Sequence, residues 1–170
     1  MDSIVKRVHD VAPAADFCSL RLVEEQSELL QVRKDVLQPV KQSTDLGAMI
    51  TVVAGSGLGY AATSDLSASG LRAAADTALT WAHRTAGRGV VDFGQVAMPT
   101  PKGTYASPVE TPWASVPISD KIDLLQTQCS RLKTDDRIVN WEASLWHTHS
   151  NQLYVTTNGG EVEQRFELLV

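Results

Sequence analysis

From Asp16 to Ser64 the apolar residues recur at every second position, in segments too close together for a helix to fit between them. Cys18, Leu20 and Leu22 share one face of a first strand, Leu30 and Val32 mark a second, and Val36 to Thr44 a third. Ala48, Ile50 and Val52 form a fourth, and Leu58 to Ser64 return the chain after Gly55-Ser56-Gly57. Parallel neighbours need a long crossover, so strands this tightly spaced must pair antiparallel, as a meander. Pro39 removes a ladder donor, which makes the third strand an edge or bulged strand there.

Helical spacing frames this block. Ile4, Val5, Val8 and Ala12 predict a short first helix, capped by Asp2 or Ser3 and ended by Pro13. After Ser64 comes the clearest helix. Leu71, Ala74, Ala78 and Ala82 line one face, while Arg72, Asp76 and Thr80 point outward. Asp65 or Ser67 can accept its orphan amides, His83 and Arg84 suit its C-terminal end, and Gly87 can stop it. The small alanines let this helix lie close on the sheet.

Five of the seven prolines (Pro99, Pro101, Pro108, Pro112 and Pro117) fall between Gly87 and Pro117, which therefore reads as a long connection and not an element. Ser119 is expected to cap a third helix with Ile122, Leu125, Cys129 and Leu132 inside and Lys121, Asp123 and Arg131 outside. Strands follow: Val139, Trp141, Ala143 and Leu145 share a face between Arg137 and Thr148, with Leu153 and Val155 beyond. Asn158-Gly159 signals a type I′ hairpin, and Val162, Phe166, Leu168 and Val170 form the last strand. The expectation is an α+β (mixed α/β) fold: an antiparallel meander of about seven to eight strands with about three helices packed on it. The chain is expected to be a single domain over residues 1–170.

With 15 basic against 20 acidic residues the net charge is −5, and no basic stripe is present, which argues against nucleic-acid binding. Apolar runs fall far short of the ~18 residues of a membrane helix. Met1-Asp2-Ser3-Ile4 holds no basic stretch before an apolar block, so no secretory signal is expected and a cytoplasmic location is.

Motifs for chemistry are thin. Gly55-Ser56-Gly57-Leu58-Gly59 fails the dinucleotide pattern, since Tyr60 stands where the third glycine belongs, and it leads into a strand where a phosphate needs a helix N-terminus. A hairpin turn is the better reading. His147 and His149 project from one strand face and could chelate zinc, yet they extend the apolar face of Val139 to Leu145 with no Cys or carboxylate nearby in sequence. None of the four histidines precedes a Glu, so no zincin helix is present. Cys18 and Cys129 read as free buried thiols on apolar faces, Asp135-Asp136 as a solvated turn, and Trp113, Trp141 and Trp146 as packing rather than a ligand surface. No catalytic, metal or substrate-binding residue is assigned on these grounds.

Several segments together resemble the N-terminal domain of the TldD/PmbA family, the "modulator of DNA gyrase" proteins. Glu28-Leu29-Leu30-Gln31-Val32-Arg33 and Gln42-Ser43-Thr44-Asp45-Leu46-Gly47 are similar to that family's opening strands. Gly59-Tyr60-Ala61-Ala62-Thr63-Ser64-Asp65-Leu66-Ser67 is similar to its next feature, and Gly70 to Ala82 to its alanine-rich helix. Pro117 to Leu125, Asp136-Arg137-Ile138 and the Asn158-Gly159-Gly160 turn also fit. The sequence departs from the pattern at the first hairpin: Lys34-Asp35 replaces the family's usual Asn-Gly, and Pro39 interrupts the next strand.

The resemblance implies a non-catalytic N-terminal domain of a longer zinc metallopeptidase that processes unfolded or modified peptides. This part would supply chamber walls and subunit contacts in a homo- or hetero-dimer. Zinc would be held by a C-terminal half in TldD-type members and absent from PmbA-type partners, and no zinc ligand transfers to this chain. The alternative is a stand-alone peptide-binding module that uses strand edges such as Glu161 to Val170.

Overall fold

A computed structural model describes residues 10–170. In chain order the elements are β1 (Phe17–Arg33), β2 (Val36–Leu37), β3 (Lys41–Ala54), β4 (Gly57–Thr63), α1 (Ala68–Thr85), β5 (Lys102–Ala106), α2 (Ile118–Leu132), β6 (Glu142–Thr156) and β7 (Glu161–Leu169). Short 3-10 turns occupy Phe93–Gln95 and Trp113–Ser115. The seven-stranded sheet has the order β4-β3-β1-β6-β7-β5, with β2 paired to β1.

The α+β class holds, with differences in detail. Segments read as separate strands fuse: the first and second expected strands are one β1, and Leu153 and Val155 continue β6. Two α-helices are complete among the described residues. The expected first helix over Ile4, Val5 and Val8 lies outside them, although residues 10–11 are helical and Val11 is buried.

The sheet is mixed rather than purely antiparallel. The proline-rich connection supplies β5, and the Glu161 amide donates to the Pro101 carbonyl while the Ser107 amide donates to that of Arg165. Both chains therefore advance together, and β5 is parallel to β7. Prolines limited the donors of this segment but did not prevent pairing on its other residues. With β6 on one side and β5 on the other, β7 is not the open edge that the sequence suggested.

The chain divides into two compact units. The first takes in the chain up to Glu24, Leu46–Tyr105 and Asn151–Gln164. Its core joins Cys18, Leu20, Ile50, Val52, Leu153 and Val155 of the strands to Leu71, Ala74, Ala75, Ala78 and Ala82 of α1. Ser67 caps α1 by accepting the Gly70 amide, and Asp65 in turn accepts the Ser67 amide. Gly87, at φ 69°, ends the helix in the left-handed region.

Gly57 and Gly59 explain themselves here. A Cβ on Gly57 would meet the Ala82 carbonyl, and one on Gly59 the Ala78 carbonyl, so both glycines exist to let α1 rest on β4. Positive φ in the Gly55-Ser56 turn is confined to Gly55, the glycine-first arrangement of a II′ hairpin. At Asn158-Gly159 the type I′ expectation fails, since only Gly159 has positive φ. The Asn158 side chain is instead occupied in donating to the Met98 and Pro99 carbonyls.

The second unit comprises Glu25–Asp45, Ala106–Ser150 and Arg165–Val170. Its smaller core sets Leu30 and Val32 of β1 against Leu125 and Cys129 of α2, with Trp113, Trp141, Ala143 and Leu145 around them. Burying each of the two β1 side chains contributes about 1.5–3 kcal/mol. Here α2 departs from expectation: Pro117 precedes it without a side-chain cap bond, and Ser119 lies inside and bonds Asp120. Its buried row is Lys121, Leu125 and Cys129, so Lys121 faces in, while Leu132 is exposed. Val139 is exposed too, because β6 starts only at Glu142.

Candidate functional site

The second unit holds a cleft of about 590 Å³ whose lining includes Glu28, Gln42, Trp113, His147, His149 and Glu167. Period-two alternation puts His147 and His149 on the same face of β6 as Ala143 and Leu145, as the sequence suggested. What the sequence hid is their partner. Glu167 on the adjacent β7 takes one imidazole on each carboxylate oxygen, His147 Nε2 on Oε2 and His149 Nδ1 on Oε1, both at 2.6 Å. A neutral imidazole can make each bond by donating its one N–H, and in that form His147 Nδ1 and His149 Nε2 are left as acceptors.

Burial alone would push the Glu167 carboxyl up. The hydrogen bonds and charges of His149 and His147 outweigh it, so the pKa falls below the ordinary glutamate value. The carboxylate is thus held ionised.

The Trp113 indole stacks on His147 with ring centroids 4.9 Å apart and planes within 7°. Its Nε1 donates to Glu28 Oε1 at 2.9 Å, and Gln42 Nε2 donates to Glu28 Oε2 at 2.6 Å. Lys121 backs two of these lining residues from outside the cleft, its Nζ 3.5 Å from the Trp113 ring centroid and 3.9 Å from Glu28 Oε1. Two carboxylates are therefore organised in the cleft, one by imidazoles and one by an indole, an amide and an ammonium. The pairing of Glu28 on β1 with Lys121 at the start of α2 carried no sequence signal, because the two lie 93 positions apart (121 − 28).

The other weighed residues lie apart from the cleft. Cys18 and Cys129 are free and buried; burial pushes the Cys18 thiol up to about 11, and Cys129 donates to the Val32 carbonyl. Asp135 is an exposed turn residue paired with Arg137, whose guanidinium lowers its pKa. Trp141 packs on the smaller core and donates to Asp35, whereas Trp146 is half-exposed. Among the described residues, no group of three or more His, Cys, Asp or Glu side chains could hold a metal ion, and Glu167 already occupies the nitrogens that a His147–His149 chelate would offer on its side. No described helix is long and apolar enough to cross a membrane.

Residues 18–82 match the family model described as PmbA/TldA metallopeptidase domain 1. Among solved structures, a Bacteroides thetaiotaomicron protein described as a modulator of DNA gyrase is similar with a TM-score of 0.69 at 15% identity, over 99% of this chain and 38% of its own. TldE from Thermococcus kodakarensis gives 0.70 at 13% identity, over 98% and 37%. A Thermotoga maritima protein, also described as a modulator of DNA gyrase, gives 0.66 at 14%, over 98% and 36%. A search of the curated proteins found no match. The chain spans little more than a third of the length of these structures. The resemblance to the first domain of the TldD/PmbA family is thus borne out: residues 18–82 carry that domain's signature, and nearly the whole chain takes the fold of the matched structures.

Proposed function

We propose that this chain serves as the non-catalytic first domain of a TldD/PmbA-type metallopeptidase in the cytoplasm, supplying chamber walls and contacts to a homo- or hetero-dimeric partner. Peptides are the substrates of the whole, and zinc, in a TldD-type protein, belongs to a domain outside this chain. The observation that carries the reading is the match to the family's first domain by a chain spanning 36–38% of the related structures. The cleft supports it chemically: each oxygen of Glu28 and Glu167 already accepts from an internal donor, an arrangement that holds side chains in place.

The test is a cleavage assay on the purified chain with zinc, using a quenched fluorogenic peptide and casein. No turnover is expected, and metal analysis should find zinc well below one per chain. Turnover that a chelator abolishes overturns the reading. The second reading, a stand-alone peptide-binding module, draws on one observation, the exposed run Lys41–Asp45 of β3. Peptide mass spectrometry on the purified chain, with no family partner present, tests it.

A further inference from the structure

Strand β3 outruns its neighbour. Its pairing with β4 covers Ala48 to Ala54 and ends at Ala48 opposite Thr63, although the strand begins at Lys41. The remaining neighbour of β3 in the sheet is β1. Within the second unit, Lys41–Asp45 therefore has β1 on one side and an open edge on the other, and all five residues are exposed.

The direction of the open main-chain groups follows from the hairpin. Ala54 faces Gly57 across a two-residue loop, and residues flanking such a loop exchange hydrogen bonds. Alternation then makes the even-numbered β3 residues the ones bonded to β4. Carried back along the strand, it aims the N–H and C=O groups of Gln42 and Thr44 outward from the open edge. Such a row is a template for an added strand.

The same residues border the cleft, whose lining includes Gln42, Ser43 and Thr44. With its imidazoles neutral, the cleft favours a cation. The Lys121 ammonium is buried against Trp113 and Glu28, which cancels that pair. The His147–Glu167–His149 cluster carries one negative charge when its imidazoles are neutral, and a carboxylate with two acceptor bonds still has lone pairs to offer. Glu167 stays about one-third accessible, at 32% exposure. Asp45 and Glu110, both exposed, add negative charge next in sequence to cleft-lining Thr44 and Val109.

We propose that the β3 edge and this cleft together take up an extended peptide bearing a lysine or arginine, with its main chain bonded along Lys41–Asp45 and its cationic side chain at Glu167. The main-chain ladder gives affinity without regard to sequence, and the carboxylate selects the charge. The inference deepens the second reading above and rests on its exposed β3 run, and equal uptake of both charges would overturn the inference while leaving that reading standing. The inference needs no peptidase partner, and loss of binding here leaves the cleavage test untouched.

Trp113 reports on the site. The probes are the blocked pentapeptides Val-Thr-Arg-Thr-Val and Val-Thr-Glu-Thr-Val, titrated against the intact chain by tryptophan fluorescence and calorimetry. The arginine peptide should bind saturably and the glutamate peptide at least about tenfold more weakly, the effect of one charge-assisted contact. Thr44→Pro removes an outward-facing donor, which an edge strand tolerates, and should abolish binding. An arginine peptide N-methylated on alternate main-chain nitrogens, which leaves the protein's fold alone, should also fail to bind. Glu167→Gln should erase the preference for arginine while retaining weak uptake of both peptides. Equal affinity for the two charges, undiminished binding to Thr44→Pro or of the methylated peptide, or no saturable binding overturns the proposal. So does a wild-type dimer that Thr44→Pro converts to monomer, which would give the edge to a second copy.

Discussion

Lys121 stands with its ammonium 3.5 Å from the centroid of the Trp113 ring, on the helix row shared by Leu125 and Cys129. A cation on the inner face of a helix is costly unless it is paired, and here an indole face and the Glu28 carboxylate offset the lost hydration. The side chains of Lys121 and Glu28 are only 8% and 17% exposed, so neither is a surface ion pair of negligible worth.

Removing one partner leaves the other buried and unmatched. Lys121→Met, which keeps the apolar stem, should lower stability in urea by about 2 kcal/mol. Glu28→Gln should cost a comparable amount, since the amide still accepts from Trp113 but meets an ammonium with no countercharge. The double variant should lose less than the two singles combined, and simple additivity in the double-mutant cycle would show that the two charges do not communicate.

Gly59 tests how closely α1 approaches β4. Its Cβ would collide with the helix backbone at Ala78, which cannot give way as a flexible side chain does. Gly59→Ala should cost about 3 kcal/mol or more, or fail to fold. Gly55→Ala provides the contrast: its φ is 59°, but nothing lies within 4 Å of the added methyl, so only the left-handed penalty of about 1 kcal/mol applies. Equal melting temperatures for the two variants would refute this packing argument.

These sites also show what the sequence could reveal. Period-two alternation placed Cys18, Leu20, Ile50 and Val52 correctly in a core, and 3.6-residue spacing did the same for Leu71 to Ala82, because one buried face leaves a periodic trace. Strand ends were blurred where the period ran on unbroken, as through β1 and β6. Lys121 defeated the pattern because its burial depends on Trp113 and Glu28, which no local spacing encodes. The histidine pair was visible, yet its partner Glu167 sits on another strand, reached only once β6 and β7 are in register.

The Glu167 cluster makes acid stability testable. Its pKa is lowered in the folded chain, so the stabilisation is fully present above the unfolded value near 4.5 and is lost as pH falls through the lower folded value. Wild type should therefore shed more melting temperature than Glu167→Gln on going from about pH 5 to about pH 3, the range over which a glutamate with a depressed pKa titrates. Parallel curves for the two proteins would mean that the imidazoles do not favour the ionised carboxylate.

The first hairpin supplies a stabilising change. The sequence offers Lys34-Asp35 where Asn-Gly would be conventional, yet both residues take positive φ, 50° and 62°, and Arg33 faces Val36 across them. This is the two-residue I′ arrangement built from residues that pay a left-handed penalty. The backbone accepts that strain because the Lys34 amide donates to the Trp141 carbonyl and Asp35 accepts from the Trp141 indole at 3.3 Å. Lys34→Asn keeps the amide and suits the conformation, so it should raise stability by about 0.5–1 kcal/mol. Asp35→Gly relieves similar strain but gives up the indole bond, and should gain less. A denaturant midpoint that falls in Lys34→Asn would show that the lysine stem contributes more packing than its backbone strain costs.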